Sequence, residues 1–291
     1  MSKKISILLA LLLIVSVFAV GCGGGAQEQA GGTEEQPAAD ADTSLSDLQD
    51  KGTLIAGIDD QFPPMSFVGD DGKMTGFDVE LAGLVAEKLG VELTVQPIDW
   101  SSKEMELNNG NIDVIWSGYT IDPERIEQVE FTKPYLNNQQ QLVVAQDSPI
   151  QKKSDLEGKI VGAQADTSGL DALKADPELS TTVADIPEYD DYLVALLDLG
   201  TSRLDALAVD TILIGYVMSE QPGKYRLLDE TLQNEYYGIG CAKGAVALRE
   251  AIDKALDELY DDGSIDELST KWFGENIVIR DVDQLTAEDF E

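Results

Sequence analysis

Two side chains of opposite charge stand out by type and setting, Arg125 and Asp210. A guanidinium is a planar fork that can make two parallel charge-assisted bonds to a carboxylate or phosphate, which an ammonium cannot. Arg125 lies between Glu124 and Glu127, so a solvated arginine beside acids is the competing reading. Asp210 closes the apolar run 206–209, which sets a carboxylate at a strand end, where α/β proteins hold ligands. An aspartate there can equally cap a helix or a turn. Ser117, Thr120, Thr167 and Ser168 offer hydroxyls in short loops, where such residues also serve as turn formers. Phe62 and Trp100 can wall off water and stack on a cationic or amide group, or simply pack in a core. Asp59 and Glu104 are carboxylates that nothing in the sequence marks as acid or base.

The absences narrow the chemistry. The sequence has no histidine, which removes the commonest general base, the Ser-His-Asp arrangement and most zinc sites. Its two cysteines, Cys22 and Cys241, form no CxxC pair, and no GxxxxGK[ST] phosphate loop occurs. These absences argue against histidine-based catalysis and zinc sites, and no metal or cofactor is expected. The 291 residues are 43% hydrophobic, enough to bury a core. A formal charge of −35 repels nucleic-acid phosphates and anionic membranes, so no nucleic-acid partner is expected. Cys241 reads as a small buried residue.

The N-terminus reads as an address. Lys3 and Lys4 precede an apolar run at 5–20, shorter than the ~20 residues a comfortable membrane span needs, which fits a signal peptide over 1–21. Ala19-Val20-Gly21-Cys22 resembles a bacterial lipobox, in which the cysteine thiol is acylated and the leader is cut before it. An ordinary signal peptide followed by a chance cysteine is the alternative. Residues 22–49, rich in Gly, Ala, Gln and Glu, read as a flexible tether. The expected location is extracytoplasmic, at the outer face of the membrane through Cys22 or in a periplasm.

The elements that must position the candidates follow from hydrophobic periodicity. Residues 53–58 read as a strand, 76–90 as a helix with Leu81, Leu84, Val85 and Leu89 on one face, and 91–95 as the next strand. This βαβ unit argues for a parallel sheet. Buried-strand patterns recur at 112–116, 142–145, 159–162 and 206–209, with a helix at 189–199 between the last two. Near the end, Leu248, Ile252, Ala255 and Leu259 keep a helical stripe until Gly263, and Ser264 with Glu267 has capping-box spacing. The pattern is α/β, without internal repeats.

Several segments together resemble one family. The segment 76–89 is similar to the signature of the family-3 extracellular solute-binding proteins, the amino-acid receptors of ABC importers. Ser117-Gly118-Tyr119-Thr120 through Arg125, then Phe131-Thr132-Lys133-Pro134-Tyr135, the loop 161–168, and Lys271-Trp272-Phe273-Gly274 resemble that family in the same order. The resemblance implies a two-lobed, periplasmic-binding-protein-like (type II) fold with two hinge crossings. Lobe one would be 50–136 plus 237–291, and lobe two 137–236. It implies a monomer that closes on an amino acid and delivers it to the importer's transmembrane subunits.

Because a free amino acid is a zwitterion, burying it requires a cation for one end and an anion for the other. By position in the resemblance, Arg125 takes the carboxylate, aided by N–H groups near Thr120, Thr167 and Ser168. Asp210 takes the ammonium, with Ser117, Gly118 and Thr120 beside it. Phe62 and Trp100 cover the side chain, and Asp59 meets its polar end. Asp166 stands where many relatives have glycine.

Overall fold

The computed structural model describes residues 41–280. The leader, Cys22, most of the tether and residues 281–291 lie outside the described residues. Two five-stranded sheets organise the rest, each flanked by helices. The first has the order Glu92–Pro97, Thr53–Ile58, Val114–Ile115, Gly240–Ala242, Val129–Phe131. The second has the order Glu188–Tyr189, Val161–Gln164, Ala206–Asp210, Leu136–Ala145, Tyr225–Tyr237.

In the first sheet, Thr53–Ile58 and Glu92–Pro97 pair in parallel from Thr53↔Glu92 to Ile58↔Pro97. Helix Phe77–Leu89 makes the crossover. It buries Phe77, Leu81, Val85 and Leu89, a stripe at four-residue spacing, while Leu84 is only half-buried. Gly90 ends it in the left-handed region, its N–H bonded to the Ala86 and Glu87 carbonyls.

Neither sheet is purely parallel, which corrects the simplest reading of the βαβ pattern. Gly240–Ala242 runs antiparallel to both its neighbours, and Leu136–Ala145 runs antiparallel to Ala206–Asp210 and to Tyr225–Tyr237. The cause is topological. The chain leaves the first sheet after Phe131, enters the second at Leu136, and returns at Tyr237, which is the register partner of Leu136. Two strands that carry the chain out and back side by side must be antiparallel.

Other differences are local. Helix Ser44–Lys51 buries Leu48 and packs on helix Val246–Asp261, so residues 44–49 belong to the folded body and not to the tether. The apolar run 112–116 yields only Val114–Ile115 as strand, because the Asp113 carboxylate accepts the Ile55 N–H at 2.7 Å in place of a ladder bond. The helix expected at 189–199 is Tyr192–Gly200, since Asp191 caps it by accepting Val194 N–H at 2.7 Å and Glu188–Tyr189 joins the sheet. The capping box at Ser264 does not form. Ser264 is already helical, and Gly263, at φ 82°, takes the cap position. A small antiparallel sheet of Gln61–Phe62, Ser66–Val68 and Met74–Thr75 has no counterpart in the reading of the sequence. Among the described residues, no helix is long and apolar enough to cross a membrane.

This small sheet leans on Gly76. Phe77 N–H donates to the Pro64 carbonyl at 2.8 Å, and Asp78 N–H to the Met65 carbonyl at 2.9 Å. Gly76 has φ 129°, and an added Cβ would lie 2.2 Å from the Met65 oxygen. Gly76→Ala is expected to destabilise the protein by at least about 2 kcal/mol in urea unfolding. A loss below about 0.5 kcal/mol would contradict this packing.

Candidate functional site

The parallel strands of both sheets aim their C-terminal ends at one cavity of about 290 Å³, the place where α/β sheets hold ligands. Asp59 follows strand Thr53–Ile58, and Phe62 lies just beyond it. Trp100 begins a short turn after Glu92–Pro97 that Asp99 caps through Ser101 N–H at 3.0 Å. Ser117, Gly118 and Thr120 follow Val114–Ile115, and Arg125 comes next on helix Pro123–Gln128. From the second sheet come Thr167 and Ser168, after Val161–Gln164, and Asp210, at the end of its strand. All ten residues named from the sequence line this cavity, together with Gln164 and Tyr192, which were not named.

Arg125 is buried, so it is not the solvated arginine of the competing reading. Asp122 caps its helix, accepting Arg125 N–H at 2.9 Å, and its other oxygen lies 3.0 Å from Arg125 Nε. Nη1 donates to the Thr120 carbonyl at 3.1 Å and Nη2 to the Asp166 carbonyl at 3.3 Å. The guanidinium carbon is 4.9 Å from the centre of the Tyr119 ring. A guanidinium has five donors, so this cradle leaves donors for an anion in the cavity. Thr167 caps helix Ser168–Ala175 by accepting Leu170 N–H at 3.3 Å, and the first-turn N–H groups of that helix have no partner within it.

Asp210 occupies the N-cap position of helix Thr211–Glu220, yet its side chain caps nothing. Asn138 Nδ2 donates to its Oδ1 at 2.7 Å and Tyr192 Oη to its Oδ2 at 2.9 Å, and Tyr237 Oη also donates to Oδ1. Glu235 lies behind this group and was missed. It accepts Gln140 Nε2 at 2.9 Å, Thr120 Oγ1 at 3.1 Å and Asn138 Nδ2. Burial, reinforced by the charge of Asp210, pushes Glu235 up to about 7. The signal for it emerges once the strands are paired. Asn138, Gln140, Glu235 and Tyr237 recur at period two on paired strands, so one face of a polar stretch must be buried.

The far end of the cavity is set by Asp59, whose Oδ2 accepts Gln164 Nε2 at 2.8 Å and whose Oδ1 accepts Gln61 N–H at 2.8 Å. Burial raises Asp59 to about 6 despite these donors. Phe62 faces Tyr192 with centroids 5.9 Å apart. Trp100 stands edge-on to Tyr119 at 5.9 Å and carries Lys103 Nζ 5.1 Å from its ring centre. Ser117 Oγ is tied to Ser66 Oγ at 2.6 Å. Glu104 does not line the cavity; its Oε1 accepts Tyr119 Oη at 2.8 Å.

Several bonds span the cleft between the two sheets. They include Gln164 to Asp59, Thr120 Oγ1 to Ser168 Oγ at 3.2 Å, and Lys103 Nζ and Arg125 Nη2 to the Asp166 carbonyl. Asp166 meets this demand at φ 59°, a left-handed conformation that glycine adopts freely and aspartate visits occasionally. Gly118, at φ 55°, cannot be replaced without cost, since an added Cβ would stand 2.6 Å from Phe62. Asp78 holds this turn from below, accepting Gly118 N–H at 2.8 Å and Tyr135 Oη at 2.8 Å. Among the described residues, no group of three or more Cys, Asp or Glu side chains is placed to hold a metal ion.

Residues 54–275 match the family model of the bacterial extracellular solute-binding proteins, family 3, and the chain belongs to that family. The L-cystine-binding protein TcyJ of Escherichia coli is 32% identical over 235 residues, 80% of this chain and 87% of the relative. A glutamine-binding protein of Geobacillus stearothermophilus is 34% identical over 252 residues, 82% of this chain and 93% of the relative. Among solved structures, an ABC uptake transporter substrate-binding protein from Streptococcus pneumoniae with bound histidine is 37% identical. It superposes with a TM-score of 0.80 over 83% of this chain and all of its own. The fold is the two-lobed type II architecture of such proteins.

Asp78 gives the site a stability signature. Burial lifts its carboxyl to about 7, well above the ordinary value of 3.8. The folded state therefore holds a proton that the unfolded state has lost, and stability falls as pH rises from about 4 through 7. The unliganded protein should melt at a higher temperature at pH 5.5 than at pH 8, and Asp78→Asn should narrow that gap. Melting by circular dichroism checks this; an Asp78→Asn protein with the full wild-type gap would exclude Asp78 as its source.

Proposed function

We propose that this protein is an extracytoplasmic receptor that binds a polar or basic L-amino acid and hands it to an ABC importer. One observation carries the reading: a buried guanidinium with free donors and a buried carboxylate without a cationic partner line the same small cavity. Arg125 has Asp122 at its Nε and unused Nη donors, while Asp210 has no lysine or arginine partner among the described residues, so the carboxylate of a zwitterion completes the first and its ammonium supplies the missing cation of the second. Arg125 takes the carboxylate, with first-turn N–H groups at Thr167 and Ser168. Asp210 takes the ammonium, with Ser117, Gly118 and Thr120 beside it. Phe62 and Trp100 cover the side chain, and Asp59 with Gln164 meets its far end. Relatives named for cystine, glutamine and histidine support the same class.

Within that class the surroundings favour a cationic side chain. A second cavity of about 520 Å³ shares Asp59 and Trp100 with the first and adds Asp60, Asp99, Asp190 and Asp191, with no lysine or arginine in its lining. Such a rim attracts a guanidinium or ammonium and opposes an added carboxylate.

Lobes 50–136 plus 237–291 and 137–236 close on the ligand by hinge motion at the two crossings. The bonds that span the cleft support this, since each joins a residue within 50–136 to one within 137–236. Acylation at Cys22 anchors a monomer outside the membrane. The protein binds without turnover. A dehydratase-like alternative needs an acid or base aimed into the cleft; Glu104 is held outside it, whereas Asp59 lines the cavity, so a test for turnover separates the two readings.

Calorimetry with the common L-amino acids should give one-site binding of one or a few, and Arg125→Ala and Asp210→Asn should each weaken it by at least about 100-fold, in line with loss of a buried charge partner. No binding across the set, or a bound amino acid consumed over hours by NMR, would overturn the reading.

A further inference from the structure

Two buried carboxylates share one amide nitrogen beneath the cleft. Asn138 Nδ2 donates to both Asp210 Oδ1 and Glu235 Oε1. Its orientation is set, because Asn138 Oδ1 accepts Thr211 Oγ1 at 3.1 Å and Ile212 N–H at 3.3 Å. With Gln140 Nε2 on Oε1 and Thr120 Oγ1 on Oε2, Glu235 accepts bonds at both oxygens, which is the pattern of an ionised carboxylate. Yet Glu235 is only 3% exposed, and no lysine or arginine among the described residues pairs with it or with Asp210. The buried cations Lys103 and Arg125 are paired elsewhere, with Glu104 and Asp122. Two adjacent negative charges in such a place are stable only when a cation arrives.

We propose that Glu235 is a positioning residue of the ammonium site whose charge is set by occupancy. A bound ammonium keeps it ionised and Thr120 and Asn138 in place, and the unoccupied site lets it take up a proton. The proposal rests on the amino-acid-binding reading above. Gln140 supplies the means for the second state. Its Oε1 is buried without a hydrogen-bond partner, so a turned amide presents an acceptor to the Glu235 proton. The groups that face Glu235 are Asp210 from its strand end, Tyr192 from helix Tyr192–Gly200 and Tyr237 from its own strand. Arg125 is one step away, through the Thr120 carbonyl. Of these, Asp210 is the negative charge that, with burial, holds Glu235 near 7. An ammonium lowers it again, so binding expels a proton below about pH 7 and affinity rises with pH.

The test is calorimetry from pH 5.5 to 8.5 in buffers of different ionisation enthalpy, using whichever of L-arginine, L-glutamine, L-histidine or L-cystine binds most tightly. The wild type should release protons on binding and lose about tenfold in affinity from pH 8 to 6. Asp59 contributes its own share, so the comparison is with Glu235→Gln, which should bind more weakly at pH 8 with a flattened slope and reduced proton release. Glu235→Asp should keep the slope. A merely structural role would weaken Glu235→Gln equally at every pH, and a wild-type slope and proton release in that variant would overturn the proposal. Should Glu235→Gln fail to fold, carbon-13 NMR of the Glu235 carboxyl in the wild type decides. Its titration should move down by at least about one unit with ligand, and an unmoved titration overturns the proposal. Absence of binding by any probe would overturn the amino-acid reading itself, a result distinct from binding with an unmoved profile.

Discussion

A charge moved from water into a protein interior costs several kcal/mol unless an opposite charge and hydrogen bonds replace its hydration. The cleft of this protein is arranged around that constraint. Arg125 is held by Asp122 and two carbonyls, which fix its plane and still leave donors facing the cavity. Asp210 is held by an amide and two phenols, all neutral donors that stabilise its charge without cancelling it. Each pole is well hydrogen-bonded; Arg125 has Asp122 and keeps donors unused, while Asp210 has no cationic partner among the described residues. Such a site is poor for an uncharged molecule and suited to one that carries both signs a short distance apart.

The topology explains why these poles meet. Parallel strands of both sheets end at the cleft, so residues just beyond their last apolar positions face it without long loops. The two strands that carry the chain between the sheets do more than connect. Leu136–Ala145 brings Asn138 and Gln140, and Tyr225–Tyr237 brings Glu235 and Tyr237, so the network behind the ammonium pole is built on the crossings themselves. The carbonyl of Asp166 plays the matching part at the other pole, receiving Arg125 and Lys103 from across the cleft.

The helices and most strands were legible because their apolar spacing is strong, as in Phe77–Leu89, whereas the cavity-lining residues were legible mainly through the family resemblance, with Asp210 alone also marked by the apolar run before it. What escaped was what single positions cannot reveal. Glu235 sits in a polar stretch whose buried face shows only once its strand is paired. Asp78 lies in the first turn of its helix with nothing in the sequence to set it apart, while in the fold it is fully buried and serves Gly118 and Tyr135. Gln164 and Tyr192 resemble ordinary strand and helix residues until the sheets face each other. The capping box failed because Gly263 could adopt the left-handed cap and shifted the helix start by one residue. Residues 44–49 carry Leu45 and Leu48 among polar neighbours, too short a pattern to stand out, and their helix finds a partner surface on helix Val246–Asp261.

The central claim is that both ends of a zwitterion are gripped at once. Calorimetric titration of the tightest-binding amino acid beside its decarboxylated and its deaminated analogue tests it most directly, because each analogue leaves one pole unpaired and the side chain untouched. The account predicts that each loses at least about 100-fold in affinity, as expected when a buried charge is left without its partner. An analogue that binds within a few-fold of the amino acid would contradict it.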